Sequence, residues 1–347
     1  MPNKKINIAI IGLGKRGKNH LSAFKKSASF QIGAVCDVKS VLGKSDLLQF
    51  KNYKNVLKMP NLRAVSICLP NHLHFKVANF FLHNKINVLV EKPLAQTKKD
   101  VTQLYMEAEK NRVILLVGYH LICDNRINKI QDLIKRKQIG EILMVRARQS
   151  HNWGGKSPFD WLKNKKLSGG GTIIDNASHF LNLFPQLIGQ IKHIGVLASN
   201  TRNLSVEDNA VIIVKFNNNA IGTIETSWND VGGRTLELII WGTKRVVVLR
   251  QFNEHEEFFT RSYKSSNNSW NKLERSYYYM PKGIERTNKN VKEINDPLVN
   301  LVAKFSNLIN SRRFNYKNEL TLEIETTNNI FACYESLKKD KFISLKK

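Results

Sequence analysis

The sequence lacks any uninterrupted apolar run approaching the about 20 residues that cross a bilayer as a helix. Its first apolar stretch, Ile6-Asn7-Ile8-Ala9-Ile10-Ile11, is too short for a signal peptide and is expected to be a strand. It also lacks a C-x-x-C pair. Cys36, Cys68, Cys123 and Cys333 stand singly, three of them within apolar runs, which argues against a disulfide framework and for a reduced, cytoplasmic setting. No internal repeat is found. Acidic residues are few, 28 Asp and Glu against 55 Lys and Arg, giving a formal net charge of +27. That excess would suit an anionic partner, but the basic residues are spread along the chain among Asn and Ile, whereas a nucleic-acid footprint would cluster. Neither nucleic acid nor membrane is therefore expected as a partner.

What is present is a chain of 347 residues, 42% apolar and 24% charged, long enough for two packed domains. Its first third alternates short apolar runs with helix-period stretches, the pattern of parallel βαβ units. Strands are expected at Ile6 to Ile11, Gln31 to Cys36, weakly near Tyr53, then Ala64 to Leu69, Asn87 to Val90 and Val113 to Val117. Helices are expected at Arg16 to Lys26, Leu73 to Asn84 and Thr97 to Asn111. The strands read as continuous apolar runs, as in a sheet covered on both faces, so the expected fold is an open doubly wound parallel sheet with its ligand at the carboxyl ends of the strands.

After Gly118 the texture changes. A helix with Ile127, Ile130, Leu133 and Ile134 on one face leads into the strand Ile142 to Ala147. Further strands at Ala210 to Phe216, Ala220 to Ser227, Leu236 to Trp241 and Arg245 to Leu249 suggest a large, mostly antiparallel sheet. Helices from about Asp296 to Asn310 and Leu320 to Lys338 close the chain, and the polar stretch from Arg261 to Asn295 reads as a long loop. The expected division is 1–119 and 120–347.

The densest signal is Gly12-Leu13-Gly14-Lys15-Arg16-Gly17, directly after the first strand and opening the first helix. The first glycine permits a tight turn, the second lets the backbone approach a pyrophosphate, and the third lets the helix pack closely, while the helix N-terminus offers N–H groups to phosphate. Asp37 ends the second strand twenty residues after Gly17, where its carboxylate can accept from both ribose hydroxyls of an adenosine. Its charge favours NAD. Lys15, Arg16 and Lys39 lie close enough in sequence to offset it, which leaves NADP as an alternative.

Leu69-Pro70-Asn71-His72-Leu73-His74 follows the fourth strand and Val90-Glu91-Lys92-Pro93-Leu94 the fifth, so both runs reach the ligand edge. Pro70, Asn71, His74, Glu91 and Lys92 are thereby candidates for cofactor contact. A lysine before proline is kept out of the helical region and can project into the cleft, with Lys92-Pro93 a candidate cis bond. Further on, Gly169-Gly170-Gly171 feeds an apolar helix with Asp175 and His179 four residues apart on one face. Histidine suits removal of a hydroxyl proton near neutral pH, and an ammonium suits a developing alkoxide. Alone, these residues would equally suit a solvated lysine and a satisfied helix pair. Asp-x-x-x-His supplies only two ligands, so no metal is expected.

Taken together, Gly12 to Gly17, Asp37, Pro70 to His74, Glu91-Lys92-Pro93, Gly118-Tyr119, Trp161, Gly169 to Gly171, Asp175 and His179 resemble, in order and over nearly the full length, the Gfo/Idh/MocA oxidoreductase family, which includes glucose-fructose oxidoreductase and inositol dehydrogenase. The resemblance implies a Rossmann domain followed by an α/β domain whose large open sheet commonly forms a homo-oligomer interface, in dimers or tetramers. It also implies Lys92, Asp175 and His179 as catalytic and substrate-binding residues. The chain departs from the family after Gly118-Tyr119, where His120-Leu121-Ile122-Cys123-Asp124-Asn125 replaces basic and aromatic residues followed by proline. His120 is a candidate beside the nicotinamide, and Arg126, Trp153 and Trp161 are candidates for the substrate side. The expected activity is hydride transfer between NAD(P) and a secondary alcohol of a sugar, an inositol-like polyol or a nucleotide sugar. The rival is a cofactor-binding sensor of the same fold that does not turn over.

Overall fold

The computed structural model describes residues 5–39, 46–153, 160–253, 255–262, 296–311 and 313–345. In chain order the first elements are β1 (Ile6–Ile11), α1 (Lys15–Lys25), β2 (Phe30–Cys36), β3 (Leu48–Phe50), β4 (Ala64–Ile67), α2 (Asn71–His83), β5 (Asn87–Val90), α3 (Lys98–Asn111) and β6 (Leu115–Val117). Then come α4 (Asn125–Lys135), β7 (Ile142–Ser150), α5 (Lys165–Ser168), α6 (Ser178–Leu187), β8 (Ile191–Ser199), β9 (Asn209–Phe216), β10 (Ile221–Ser227), β11 (Thr235–Gly242), β12 (Arg245–Phe252) and β13 (His255–Ser262). The chain ends with α7 (Pro297–Ser311), α8 (Tyr316–Lys339) and β14 (Ile343–Ser344).

These elements form two compact units, residues 1–124 with 295–324, and 125–294 with 325–347. The first contains a six-stranded parallel sheet in the order β3-β2-β1-β4-β5-β6. Alternate residues of β1 enter opposite cores: Ala9 and Ile11 pack with Val77, Phe81 and Leu104 of α2 and α3, and Ile6, Ile8 and Ile10 pack with Leu21 and Phe24 of α1. Burial on both faces is why β1 is apolar throughout. The weak strand expected near Tyr53 lies instead at β3, and Tyr53–Lys58 forms a 3₁₀ turn opened by the Asn52 side chain, which accepts from Lys54 N.

Helix α7 also belongs to the first unit, with Leu298, Leu301, Val302 and Phe305 completing the α1-side core and Phe305 stacked on Phe30 at 5.9 Å. One unit is therefore discontinuous in sequence: α1 covers only part of that sheet face, and a helix from the end of the chain covers the rest. The first-unit part of α8 adds Leu320 and Ile324 to the opposite core.

The second unit contains an eight-stranded sheet in the order β13-β12-β11-β7-β10-β9-β8-β14, antiparallel except for the β7/β10 pair. Helix α6 packs on one face, where Phe184 meets Phe216 edge-on at 5.7 Å. β8 and β13 were not anticipated. The loop expected from Arg261 begins within β13, and from residue 263 to 295 it lies outside the described residues.

Candidate active site

In the first unit the glycine run makes the turn its spacing requires. Gly12 has φ +92°, and a Cβ there would stand 2.4 Å from the Cys68 carbonyl oxygen; one on Gly17 would stand 1.8 Å from the Gly12 oxygen. Gly14 is the N-cap residue of α1 and has no side chain to satisfy the first-turn N–H groups, which suits a helix start that receives phosphate. Across this turn, the Asp37 carboxylate accepts from Leu13 N at 2.6 Å and from Lys39 N at 2.8 Å, so the acid is anchored to the glycine loop itself. Gly14 and Lys15 are exposed, Arg16 is half-buried, and Leu13 contributes through its backbone because its side chain is in the core. Glycine cradle, free helix start and fixed carboxylate together fit an adenine dinucleotide.

Arg16 and His20, one helical turn apart, converge on Glu91. Arg16 Nη2 donates at 2.5 Å and Nε at 2.9 Å to Oε1, and His20 Nε2 lies 2.9 Å from the same oxygen. His20 Nδ1 contacts Ser66 Oγ at 2.8 Å, and Arg16 Nη2 lies 3.4 Å from His120 Nδ1. Burial alone would raise the Glu91 pKa, but Arg16 and His20 hold it well below the usual carboxylate range. Burial likewise opposes charge on His20, yet Cys68 and Glu91 raise it to about 9. The residue preceding Lys92 is thus locked to the helix that follows the glycine loop. Lys92 itself is half-buried, and its peptide bond to Pro93 is cis.

His74 takes a different place from the one expected. It is fully buried, with Nδ1 2.7 Å from Pro93 O and Nε2 2.8 Å from Leu69 O, so it braces the two loops at the strand ends instead of presenting an edge to cofactor. Pro70, half-buried, is the N-cap residue of α2, and the buried Asn71 opens that helix.

In the second unit the Gly169-Gly170-Gly171 turn is enforced by its neighbours. A Cβ on Gly170 would meet Tyr334 Oη at 1.8 Å, and one on Gly171 would meet Glu207 O at 1.8 Å. Glu207 Oε1 accepts from Gly171 N, Ile173 N and Tyr334 Oη at 3.0, 3.1 and 2.9 Å, while Glu207 O accepts from Thr172 N at 3.0 Å. Three consecutive amides are thereby held. Burial pushes the Glu207 pKa up against these donors.

The expected single α-helix is a π turn, Ile173–Ala177, running into α6, a form common at functional sites. Asp175 lies in the π turn and His179 at the second position of α6. Asp175 Oδ2 accepts from Trp228 Nε1 at 3.0 Å, and His151 Nε2 lies 3.8 Å from the same oxygen. His179 is buried. Trp153 stacks on Trp228 at 5.4 Å and meets the His151 ring at 4.9 Å, and Trp161 packs against the cluster of Leu162, Val206 and Trp228. Arg126 is buried within this unit.

Trp228, His151, Glu207 and His20 were not singled out from sequence. His151 and Trp228 directly follow strands that could be read, and His20 lies four residues after Arg16 on the same helix face; position at a strand end or helix face was the usable signal. Among the described residues no group of three or more His, Cys, Asp or Glu could hold a metal ion.

Comparison with known proteins gives the family of both units. Residues 6–119 match the family model described as "Oxidoreductase family, NAD-binding Rossmann fold", and residues 127–248 match the GFO/IDH/MocA C-terminal domain. The chain belongs to the Gfo/Idh/MocA oxidoreductase family. It is 22% identical over 286 residues to a levoglucosan dehydrogenase of Pseudarthrobacter phenanthrenivorans, covering 71% of this chain and 73% of that protein. It is 24% identical over 255 residues to a myo-inositol 2-dehydrogenase of Thermotoga maritima, covering 69% and 73%. A solved levoglucosan dehydrogenase with NADH and levoglucosan superposes with a TM-score of 0.83 over 99% of this chain and 100% of that one, at 18% identity. A WlbA dehydrogenase of Bordetella pertussis with NADH and UDP-GlcNAcA gives 0.78 over 99% and 100%, also at 18% identity. As a Gfo/Idh/MocA member, the chain is an NAD-dependent oxidoreductase whose glycine loop and Asp37 form part of the family's NAD-binding fold.

Proposed function

We propose that this enzyme oxidises a secondary alcohol of a sugar, an inositol-like polyol or a nucleotide sugar, reversibly, with NAD as hydride acceptor. The observation that carries the reading is the Arg16-Glu91-His20 lock, which ties the lysine-bearing strand end to the dinucleotide loop in one unit. The relatives named as levoglucosan and myo-inositol dehydrogenases, and the solved dehydrogenase that holds UDP-GlcNAcA, support the substrate class.

When bound, NAD supplies the hydride acceptor. Gly12 to Gly17 would hold its pyrophosphate and Asp37 its adenosine ribose, whose 2′-phosphate in NADP the carboxylate would repel. Glu91, through Arg16, keeps the loop and Lys92 in register, and His120 Nδ1 stands 3.4 Å from the same Arg16 Nη2. Lys92, Asp175 and His179 are the residues assigned to the chemistry, since an ammonium suits a developing alkoxide, an imidazole accepts a hydroxyl proton and a carboxylate balances the charge that results. Arg126, Trp153 and Trp161 belong to the substrate domain, with Trp153 and Trp161 shaping its aromatic side. Of the expected division, residues 1–119 would carry cofactor and 120–347 substrate, with 120–124 and 295–324 packed in the first unit.

The open face of the second sheet bears Leu197, Val211, Ile213, Ile221 and Met144 in register, all exposed. Beside them runs an ion-pair ladder of Arg146, Glu225, Glu237 and Arg250. A second copy of the chain would cover this face. Unpaired cysteines throughout accord with a reducing cytoplasm. No helix among the described residues is long and apolar enough to cross a membrane.

The test is a scan of inositols, sugars and nucleotide sugars with NAD and NADP, following absorbance of reduced nicotinamide. Turnover with one of them is expected, and Lys92→Ala should lower kcat roughly 10²–10³-fold. NADH binding with no turnover of any sugar or polyol would favour the sensor reading, and unchanged turnover in Lys92→Ala would remove the proposed mechanism.

A further inference from the structure

The β7/β10 pair is the parallel step in an otherwise antiparallel sheet, so both strands end on the same side. Past those ends the chains stay joined: His151 N donates to Ser227 O at 3.0 Å, and Trp153 N donates to Trp228 O at 3.1 Å. Trp228 N in turn donates to Asp208 O at 2.8 Å, while the adjacent Glu207 holds the turn that launches Asp175. Dipeptide 207–208 therefore fixes the indole and the carboxylate relative to each other.

The geometry assigns Trp228 and His151 as positioning residues for Asp175, the indole N–H fixing Oδ2 and the imidazole facing that same oxygen from the end of β7. This rests on the proposed function insofar as Asp175 serves the reaction. An indole N–H only donates, so the oxygen it meets must accept, which favours the ionised carboxylate. Trp228 is 2% exposed, so water does not compete freely for this bond. His151 presents an ion-pairing nitrogen at 3.8 Å, and its proton decides whether the Asp175 charge is balanced. Among the described residues, other charged groups around this cluster include His179, Glu207, Asp208, whose carboxylate accepts from Arg202 N at 3.1 Å, Arg202, whose Nη2 lies 3.5 Å from Trp228 O, and the Arg148-Asp230 pair at 2.9 Å. Trp153 stacks on Trp228 and meets the His151 ring at a tilt, so the test reads a signal that packing alone would not move.

Tryptophan indoles labelled with ¹⁵N provide that separation without any substrate. Of the five tryptophans, the Trp228 signal is assigned by its loss in Trp228→Phe or, should that variant not fold, in Trp228→Tyr. The signal is expected to move with pH in the wild-type enzyme and to stop moving in Asp175→Asn. In turnover, Trp228→Phe should lower kcat about ten- to a hundredfold, leave KM for NAD unchanged, and move the acid limb of the pH profile upward. His151→Gln should make that limb shallower. A Trp228 signal indifferent to Asp175→Asn, or a wild-type pH profile in both Trp228→Phe and His151→Gln, overturns the assignment. Full turnover by Asp175→Asn, with the indole signal moving with pH in the wild type and stationary in that variant, instead overturns the catalytic role of Asp175 while upholding its contact with Trp228.

Discussion

The buried Glu91 carboxylate meets the half-exposed Arg16 guanidinium and the buried His20 imidazole, so its loss strands His20 while water reaches Arg16. Glu91→Gln is therefore expected to destabilise the protein by about 1–3 kcal/mol, read as a fall in the urea midpoint. The His20 side of the lock has a pH signature. Its folded pKa of about 9 lies above the ordinary histidine value of 6.5, so its stabilisation is complete below 6.5 and is lost as pH rises through 9. Melting temperatures from pH 6 to 10 should show this decline in the wild type and lack it in His20→Asn. Gly17 is constrained sterically, since an added Cβ at 1.8 Å from Gly12 O forces the loop open. Gly17→Ala should cost roughly 1–3 kcal/mol of strain, or about ten- to a hundredfold in NADH affinity by fluorescence titration.

At the scale of elements, α8 carries an acid into the core of the first unit. Glu323 is buried beside Tyr105 of α3 and Tyr119, and burial, with Glu319 one turn away, raises its pKa to about 8. The folded state holds that proton while the unfolded chain releases it above pH 4.5, so stability falls between 4.5 and 8. Glu323→Gln keeps the amide in place without the charge, and should stabilise the protein by up to about 3 kcal/mol near pH 7, flattening the denaturation profile across that window. The π turn at Ile173–Ala177 is the other feature that belongs to this scale. Apolar periodicity through Ile173, Ile174, Ala177 and Phe180 marks a buried helix, but it cannot distinguish a π turn from an α turn. That choice follows from Glu207 holding Gly171, Thr172 and Ile173 and from Trp228 holding Asp175.

At the scale of the molecule, the open sheet face pairs apolar residues with an ion-pair ladder, and Ile213 lies near its middle, opposite Thr223. Ile213→Asp should convert an oligomer to monomer by light scattering while leaving the melting temperature of the folded chain within a few degrees. An unchanged mass would show that a second copy does not seat there.

The amino-acid order alone determined the parallel sheet, the glycine loop with Asp37, the strand-end position of Lys92, and the four-residue spacing of Asp175 and His179 after the second glycine turn, because each depends on short-range periodicity or on spacing between neighbours. Only the tertiary structure decided what those residues rest on: that Arg16 and His20 meet Glu91, that His74 is a brace, that α7 returns to finish the first core, and that Trp228 and His151 meet Asp175. Apart from the short reach of His74 to Leu69 and Pro93, these contacts join residues dozens to hundreds of positions apart, and separations of that kind leave no periodic trace in one chain.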